Sequence, residues 1–406
     1  MKALVFHNSR LRQAAATIAG QFYSGSYVSS FAPTRLQTIP DPKLRDENWV
    51  VLDSRRCGIC GSDSKQVFLD GRPDNPLTAI ISFPHVLGHE LVGVVREAGS
   101  QAQISLGTRV ALYCSLACAV RGIQPPCRMC AAGHPPLCEN LTEPPLSPTI
   151  HIGNSRDVSG GFAEKVAAHR SQLFPIPDGV TDEQAMLCDP VGVALHPIVR
   201  FPPNPDRPVL VYGMGTIGLC LVAAMRKMYP QCEVWAVARY PYQVEAAKRL
   251  GAHAVLPSRP RDLIQAIAER EHGPVRRPWY GLPWLERGAG TIYDTITSAE
   301  TVETSLRIAD KRSTIVHIGV STPKRFEWTL LYFKELEVKG SNAFGWLTWQ
   351  GERLHCYELY WKLIQDGMDL SSLITHRFTL DDWAQAMLHA HHRSRYQTIK
   401  AAFRFD

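Results

Sequence analysis

The stretch Pro208-Val-Leu-Val-Tyr212-Gly213-Met-Gly215-Thr-Ile-Gly218 decides the fold. Its apolar opening reads as a short strand buried on both faces. The Gly-x-Gly-x-x-Gly that follows leads into the apolar helix expected over Ile217–Met228. Glycines at this spacing let the backbone approach a pyrophosphate at a helix N-terminus, with Gly213, Gly215, Thr216, Ile217 and Gly218 as the contacting residues. Alone, the motif is weak, because a strand-to-helix turn with no ligand has the same pattern. Its context strengthens it: a second strand, Glu233-Val-Trp-Ala-Val237, follows at the interval of a βαβ unit, and then a helix from Tyr242 to Leu250 that Gly251 ends. Strands at Thr291–Asp294 and Ser313–Ile318, with a helix over Ala299–Ile308 between them, continue the alternation. Such a pattern predicts an α/β domain with a parallel sheet and crossover helices.

At the end of the second strand, where a carboxylate would meet the ribose hydroxyls of NAD, stands Ala238, followed by Arg239 and Tyr240. The missing carboxylate removes repulsion toward a 2′-phosphate, and a guanidinium can bind that phosphate with paired hydrogen bonds. NADP is therefore expected ahead of NAD. The competing reading makes Arg239 a solvated loop residue.

Upstream the texture differs. Residues 1–175 are rich in Gly, Pro and short β-branched runs such as Trp49-Val-Val-Leu52 and Val92-Gly-Val-Val95, which predicts an irregular, mostly antiparallel β-domain. The expected division is 1–175 for this domain, 176–342 for the nucleotide domain, and 343–406 for a tail that returns to the first. The tail is expected to hold helices around 354–366 and 380–392 and a closing strand over 398–405. Two segments, about 14–33 and 273–288, look like insertions, the second with Trp279, Tyr280 and Trp284.

The net charge of +6 is dispersed along the chain, which excludes the basic stripe of a nucleic-acid binder. No apolar run reaches the roughly 18 residues of a membrane span, and the start lacks a secretory signal pattern, so a soluble, cytoplasmic protein is expected. Eleven cysteines, an odd count without an export signal, argue against a disulfide framework and for metal binding.

Cys57-Gly-Ile-Cys60-Gly-Ser-Asp63, Gly88-His89-Glu90 and Asp189-Pro190 bring together thiolate, imidazole and carboxylate, the ligands zinc takes. With the dinucleotide motif, Gly160-Gly-Phe-Ala-Glu164 and Ala247-Lys-Arg-Leu-Gly-Ala252, they resemble the zinc-containing medium-chain dehydrogenases, and among them the sorbitol, threonine and glucose dehydrogenases. The resemblance implies a GroES-like β catalytic domain joined to a Rossmann domain. It further implies zinc at Cys60 and His89, with Glu90 and Asp189 ranked ahead of Cys188 for the remaining positions. Cys57 falls outside the ligand position and reads as structural, and a redox role for its C-x-x-C is disfavoured without a thioredoxin-like context. Asp63 resembles the carboxylate that orients the ligating histidine.

Cys127, Cys130 and Cys138 resemble three of the four cysteines of the family's structural zinc lobe. The family pattern would put the fourth at Gln124; Cys118 and Cys114 lie upstream, and Cys118 is favoured by its shorter loop. The alternative is a metal-free lobe. The implied reaction is hydride transfer between NADP(H) and an alcohol, with Ser62 taking the alcohol proton. Lys65 stands where many members have an onward histidine, and it either continues that relay, binds the cofactor, or faces solvent. The implied substrate is a polyol, sugar or secondary alcohol, and by analogy the chain forms a homodimer or homotetramer. Two competing functions are an NADPH-dependent carbonyl or double-bond reductase with weak or no zinc dependence, and a non-catalytic NADPH-binding protein.

Overall fold

Trp49-Val-Val-Leu52 begins a ten-residue strand, Trp49–Gly58, in the computed structural model, which describes residues 1–71, 74–321 and 324–405. Its β-branched and aromatic residues are buried on both sides. This strand is central to a seven-stranded sheet ordered Ile374–Phe378, Lys400–Arg404, Trp49–Gly58, Glu90–Ala98, Arg109–Leu112, Leu173–Pro175, with Lys165–His169 also paired to Trp49–Gly58. Every pairing is antiparallel except that of Ile374–Phe378 with Lys400–Arg404. A smaller sheet joins Thr34–Thr38, Lys2–Phe6 and His85–Val86. Together they belong to a unit of Met1–Asp189 and Asp369–Asp406. Asp406 itself lies outside the described residues.

The second unit, Pro190–Met368, is built on six parallel strands in the order Ala254–Pro257, Val234–Ala238, Val209–Tyr212, Ala289–Asp294, Ala309–His317, Glu337–Gly340. The order reverses direction between Val209–Tyr212 and Ala289–Asp294, the switch point at which such sheets bind ligands beyond their strand ends. Helices Thr216–Met228, Pro241–Arg249, Pro260–Glu271 and Ala299–Ile308 connect the strands. The core, including Leu210, Trp235, Val237, Ile292 and Ile315, is fully buried or nearly so.

This unit runs past the expected boundary at 342. The hairpin Trp346–Trp349/Glu352–His355 and the helix Cys356–Gln365 belong to it, and the return to the first unit begins at Asp369. The helix buries Tyr357, Leu359, Tyr360, Trp361 and Leu363, a face too apolar to leave exposed. The early insertion forms a helix, Arg10–Gly20, and a 3₁₀ turn, Ser24–Val28; the later one is a short hairpin, Val275–Arg276 with Trp284–Leu285. Among the described residues no helix is long and apolar enough to cross a membrane.

Candidate metal and dinucleotide sites

Cys60 lies just beyond Trp49–Gly58 as the N-cap of helix Gly61–Val67, and His89 immediately precedes strand Glu90–Ala98. Antiparallel pairing sets Glu90 opposite Gly58. One ligand atom from each of Cys60, His89 and Glu90 therefore lies within 4.8 Å of the others. The close approach depends on Gly58: a Cβ there would sit 2.0 Å from Glu90 Oε2 and 2.8 Å from Lys400 Cε. Lys400 belongs to the strand on the other side of Gly58 and forms an ion pair with Glu90, the two side chains being 3% and 2% exposed. Its ammonium also donates to Ile59 O at 3.2 Å.

The group is strongly acidic for a buried site. Asp63 is buried; it accepts from Cys60 N at 2.9 Å and Gly88 N at 3.2 Å, and faces His89 Nδ1 at 3.6 Å. Burial alone would raise the Asp63 carboxyl, but the facing His89 and the hydrogen bond from Cys60 N hold it below its ordinary value. For His89 burial works against protonation, yet Asp63 and Cys60 push it well above the ordinary histidine range. A third carboxylate, Asp189, is buried too; burial pushes it up to about 7 although His89 pulls the other way. Lys400 alone does not offset this concentration of anionic groups. A divalent cation fits the donor set and the field.

Asp189 stands beside the Cys60–His89–Glu90 group without joining it within 4.8 Å, and its Oδ2 accepts from Cys114 Sγ at 3.6 Å. Cys188 is buried, and burial raises its thiol. Cys57 is buried with its thiol raised well above the ordinary value by burial, which suits a structural residue. Ser62 and Lys65 are both exposed on Gly61–Val67. The sequence reading missed two neighbours. Lys400 gives no local signal, since only strand pairing carries it to Glu90. His151 packs its ring 4.7 Å from that of His89 and is held by Ile152 O and by Asn154 Nδ2 at 3.3 Å from its Nε2. Burial pushes it down to about 3, so it is a neutral wall against the His89 ring.

The second cysteine group is Cys118, Cys127, Cys130 and Cys138, with all four sulfurs within 4.8 Å. Cys118 and Cys138 sulfurs are 3.5 Å apart, and those of Cys127 and Cys138 3.9 Å. Thiolates arranged tetrahedrally around zinc stand about 3.8 Å apart. Backbone amides aim at the sulfurs: Cys127 N to Cys118 and Glu139 N to Cys127, both at 3.4 Å, and Asn140 N to Cys138 at 3.3 Å. Such donors favour thiolates. Cys114 is absent from this group and lies with Asp189 instead.

In the second unit Gly213 ends its strand at φ +95° and Gly215 is the N-cap of helix Thr216–Met228. A Cβ on Gly218 would lie 1.8 Å from Gly213 O, so the helix can pack this tightly under the turn only with glycine there. Thr295, just beyond the strand across the switch point, donates to Tyr212 O at 2.9 Å and Gly213 O at 3.1 Å. Arg239 is exposed at the end of Val234–Ala238, its guanidinium 5.5 Å from the ring of Tyr240, which stacks on Tyr242 at 5.7 Å. Gln243 Oε1 accepts from Arg239 N at 3.3 Å and Tyr240 N at 3.4 Å and fixes this corner.

Residues 46–178 match the alcohol dehydrogenase GroES-like domain, and residues 216–356 match the zinc-binding dehydrogenase family. The L-threonine 3-dehydrogenase of Escherichia fergusonii is 30% identical over 353 residues, spanning 85% of this chain and 89% of the relative. The sorbitol dehydrogenase of Bacillus subtilis is 23% identical, spanning 95% and 92%. The crystal structure of 2R,3R-butanediol dehydrogenase from Bacillus subtilis superposes with a TM-score of 0.72 at 22% identity, covering 99% of both chains. The chain belongs to the zinc-containing medium-chain dehydrogenases, oxidoreductases of the alcohol dehydrogenase type, with a GroES-like and a Rossmann domain.

Proposed function

We propose that the protein is a zinc-dependent dehydrogenase that moves a hydride between NADP(H) and an alcohol–carbonyl pair, the alcohol being a polyol, a sugar or a secondary alcohol. The observation that carries this reading is the Cys60–His89–Glu90 group, half-buried at Cys60 and buried at the other two, whose carboxylate-rich surroundings call for a cation beyond Lys400. Cys60 and His89 would hold the metal, with Glu90 and Asp189 as the carboxylates available to it. Zinc there supplies Lewis acidity that lowers the pKa of a bound hydroxyl.

Asp63, 3.6 Å from His89 Nδ1, would orient the His89 ring and leave the other nitrogen for the metal. The Ser62 hydroxyl takes the alcohol proton, and Lys65, one helical turn on, passes it to solvent. In the second unit, Gly213, Gly215, Thr216, Ile217 and Gly218 would receive the pyrophosphate at the start of their helix, and Arg239 with Tyr240 the adenosine 2′-phosphate. The likeness to threonine, sorbitol and butanediol dehydrogenases supports a small hydroxylated substrate. Cys118, Cys127, Cys130 and Cys138 would hold a structural zinc.

The test is initial rates of NADP and NAD reduction over polyols, aldoses, L-threonine and secondary alcohols, with and without a zinc chelator. Chelator-sensitive turnover that favours NADP is expected. No turnover across the panel, with NADPH still bound, would replace this reading with a specialised reductase or a non-catalytic binder.

A further inference from the structure

Among the described residues, the most fully engaged cation outside the site around Cys60 is Arg121, three positions after Cys118. It is 2% exposed. Its guanidinium donates to Leu116 O at 3.0 Å, Leu146 O at 2.8 Å, Leu141 O at 2.7 Å, Ser147 O at 3.2 Å, Thr149 O at 3.3 Å, and also to Glu143 O. One side chain thus gathers the backbone from 116 to 149, the segment that carries all four lobe cysteines. The turn that delivers Cys118 is closed at the same place, by Arg121 N to Ala117 O at 3.1 Å and Ile123 N to Cys118 O at 3.0 Å.

Carbonyl dipoles satisfy the donors of a buried guanidinium but do not neutralise its charge. Among the described residues no carboxylate lies in ion-pair range of Arg121. The groups whose charge acts on it most strongly are Cys138, Asp157, Cys118 and Glu143, two of them lobe sulfurs. Four thiolates around a divalent ion carry a net charge of about −2, and Arg121 beside them offsets part of it.

We propose that Arg121 is the clamp and counter-charge of a four-thiolate metal site closed by Cys118. It is a positioning residue for a fourth ligand that reaches the lobe from upstream of the family's usual place. The inference rests on the reading that the lobe holds zinc.

The test uses the full-length protein and metal stoichiometry by mass spectrometry, followed by cobalt titration of stripped protein read at the thiolate-to-cobalt charge-transfer band. Wild type is expected to hold two zinc ions per chain, and Cys118→Ser one. Arg121→Gln is expected to hold one, with cobalt affinity at the lobe lower by roughly 10- to 100-fold, the loss typical when groups supporting metal ligands are removed. Arg121→Lys, which keeps the charge, is expected to keep the second ion with a smaller loss. A folded Arg121→Gln that retains two ions at wild-type affinity overturns the inference while leaving a zinc-filled lobe intact. If Arg121→Gln does not fold, Arg121→Lys decides: the second ion retained supports the counter-charge role, and its loss from a folded Lys variant overturns it. A wild type whose single zinc survives Cys118→Ser overturns the lobe's zinc reading itself, and the inference with it.

Discussion

Replacing Lys400 by Met removes the cation from Glu90 while keeping most of the aliphatic stem. Glu90 is 2% exposed, so no water replaces the lost ammonium, and Asp63 and Asp189 are buried nearby. Breaking a buried ion pair from one side costs about 3–5 kcal/mol. In a unit of this size, 3–5 kcal/mol corresponds to a fall in Tm of roughly 6–20 °C. The assay is calorimetric melting of metal-stripped wild type, Lys400→Met and the double variant Lys400→Met/Glu90→Gln at pH 7. The double variant should recover most of the loss, because neutralising both partners leaves no stranded charge. A Lys400→Met protein that melts within about 2 °C of wild type at pH 7, or a double variant no better than the single, refutes the reasoning.

Gly218→Ala places a Cβ 1.8 Å from Gly213 O, a backbone atom that can yield only by moving the turn. We expect kcat/KM for the dinucleotide to fall by about a hundredfold, the scale of an ångström's misplacement, with zinc content unchanged. Arg239→Ala should raise KM for NADP about 10- to 100-fold and leave KM for NAD nearly unchanged, as loss of hydrogen bonds to a charged phosphate implies; equal changes in both would make Arg239 a solvated residue. His355 caps helix Cys356–Gln365, its Nδ1 accepting from Tyr357 N at 3.3 Å, and burial pushes it down to about 3. Because its folded value lies below the ordinary one of about 6.5, its contribution is complete above that pH and is lost as pH falls from 6.5 toward 3, on the order of 2 kcal/mol at pH 5. His355→Asn keeps a capping acceptor without the titration, so urea unfolding followed by fluorescence should show a flatter dependence on pH between 6.5 and 4.5 than wild type.

How much of this was legible in the sequence depended on whether the signal was local. Helix Ala299–Ile308 begins and ends where the sequence reading put it, with Ser298 as its N-cap, and Val209–Tyr212 is the strand its four residues spell. Helix Arg10–Gly20 was not foreseen because Arg-Leu-Arg-Gln-Ala-Ala-Ala-Thr-Ile-Ala-Gly buries only Ala16 and offers no apolar stripe directed at a core. The boundary near 342 failed for a different reason. The aromatic run 344–349 reads in the sequence as cleft lining or as a structural aromatic cluster, and only its contacts, such as Phe344 5.3 Å from Tyr357, tie it to the second unit. Cys60, His89, Glu90 and the lobe cysteines were legible through motifs that resemble those of the zinc-containing dehydrogenases, made of the residue types zinc takes. Lys400, His151 and Arg121 were not, because each acts through partners far away in sequence: Lys400 is more than 300 residues from Glu90 and meets it across Gly58.

The measurement that bears most directly on the central claim compares NADP reduction by wild type and Cys60→Ser with the best alcohol of the panel, before and after metal removal and after zinc is returned. Stripped wild type is expected to lose turnover and regain it with zinc, while Cys60→Ser stays inactive with zinc present and still binds NADPH. Wild-type turnover that survives metal removal, or a Cys60→Ser protein that turns over at the wild-type rate, would contradict the central claim.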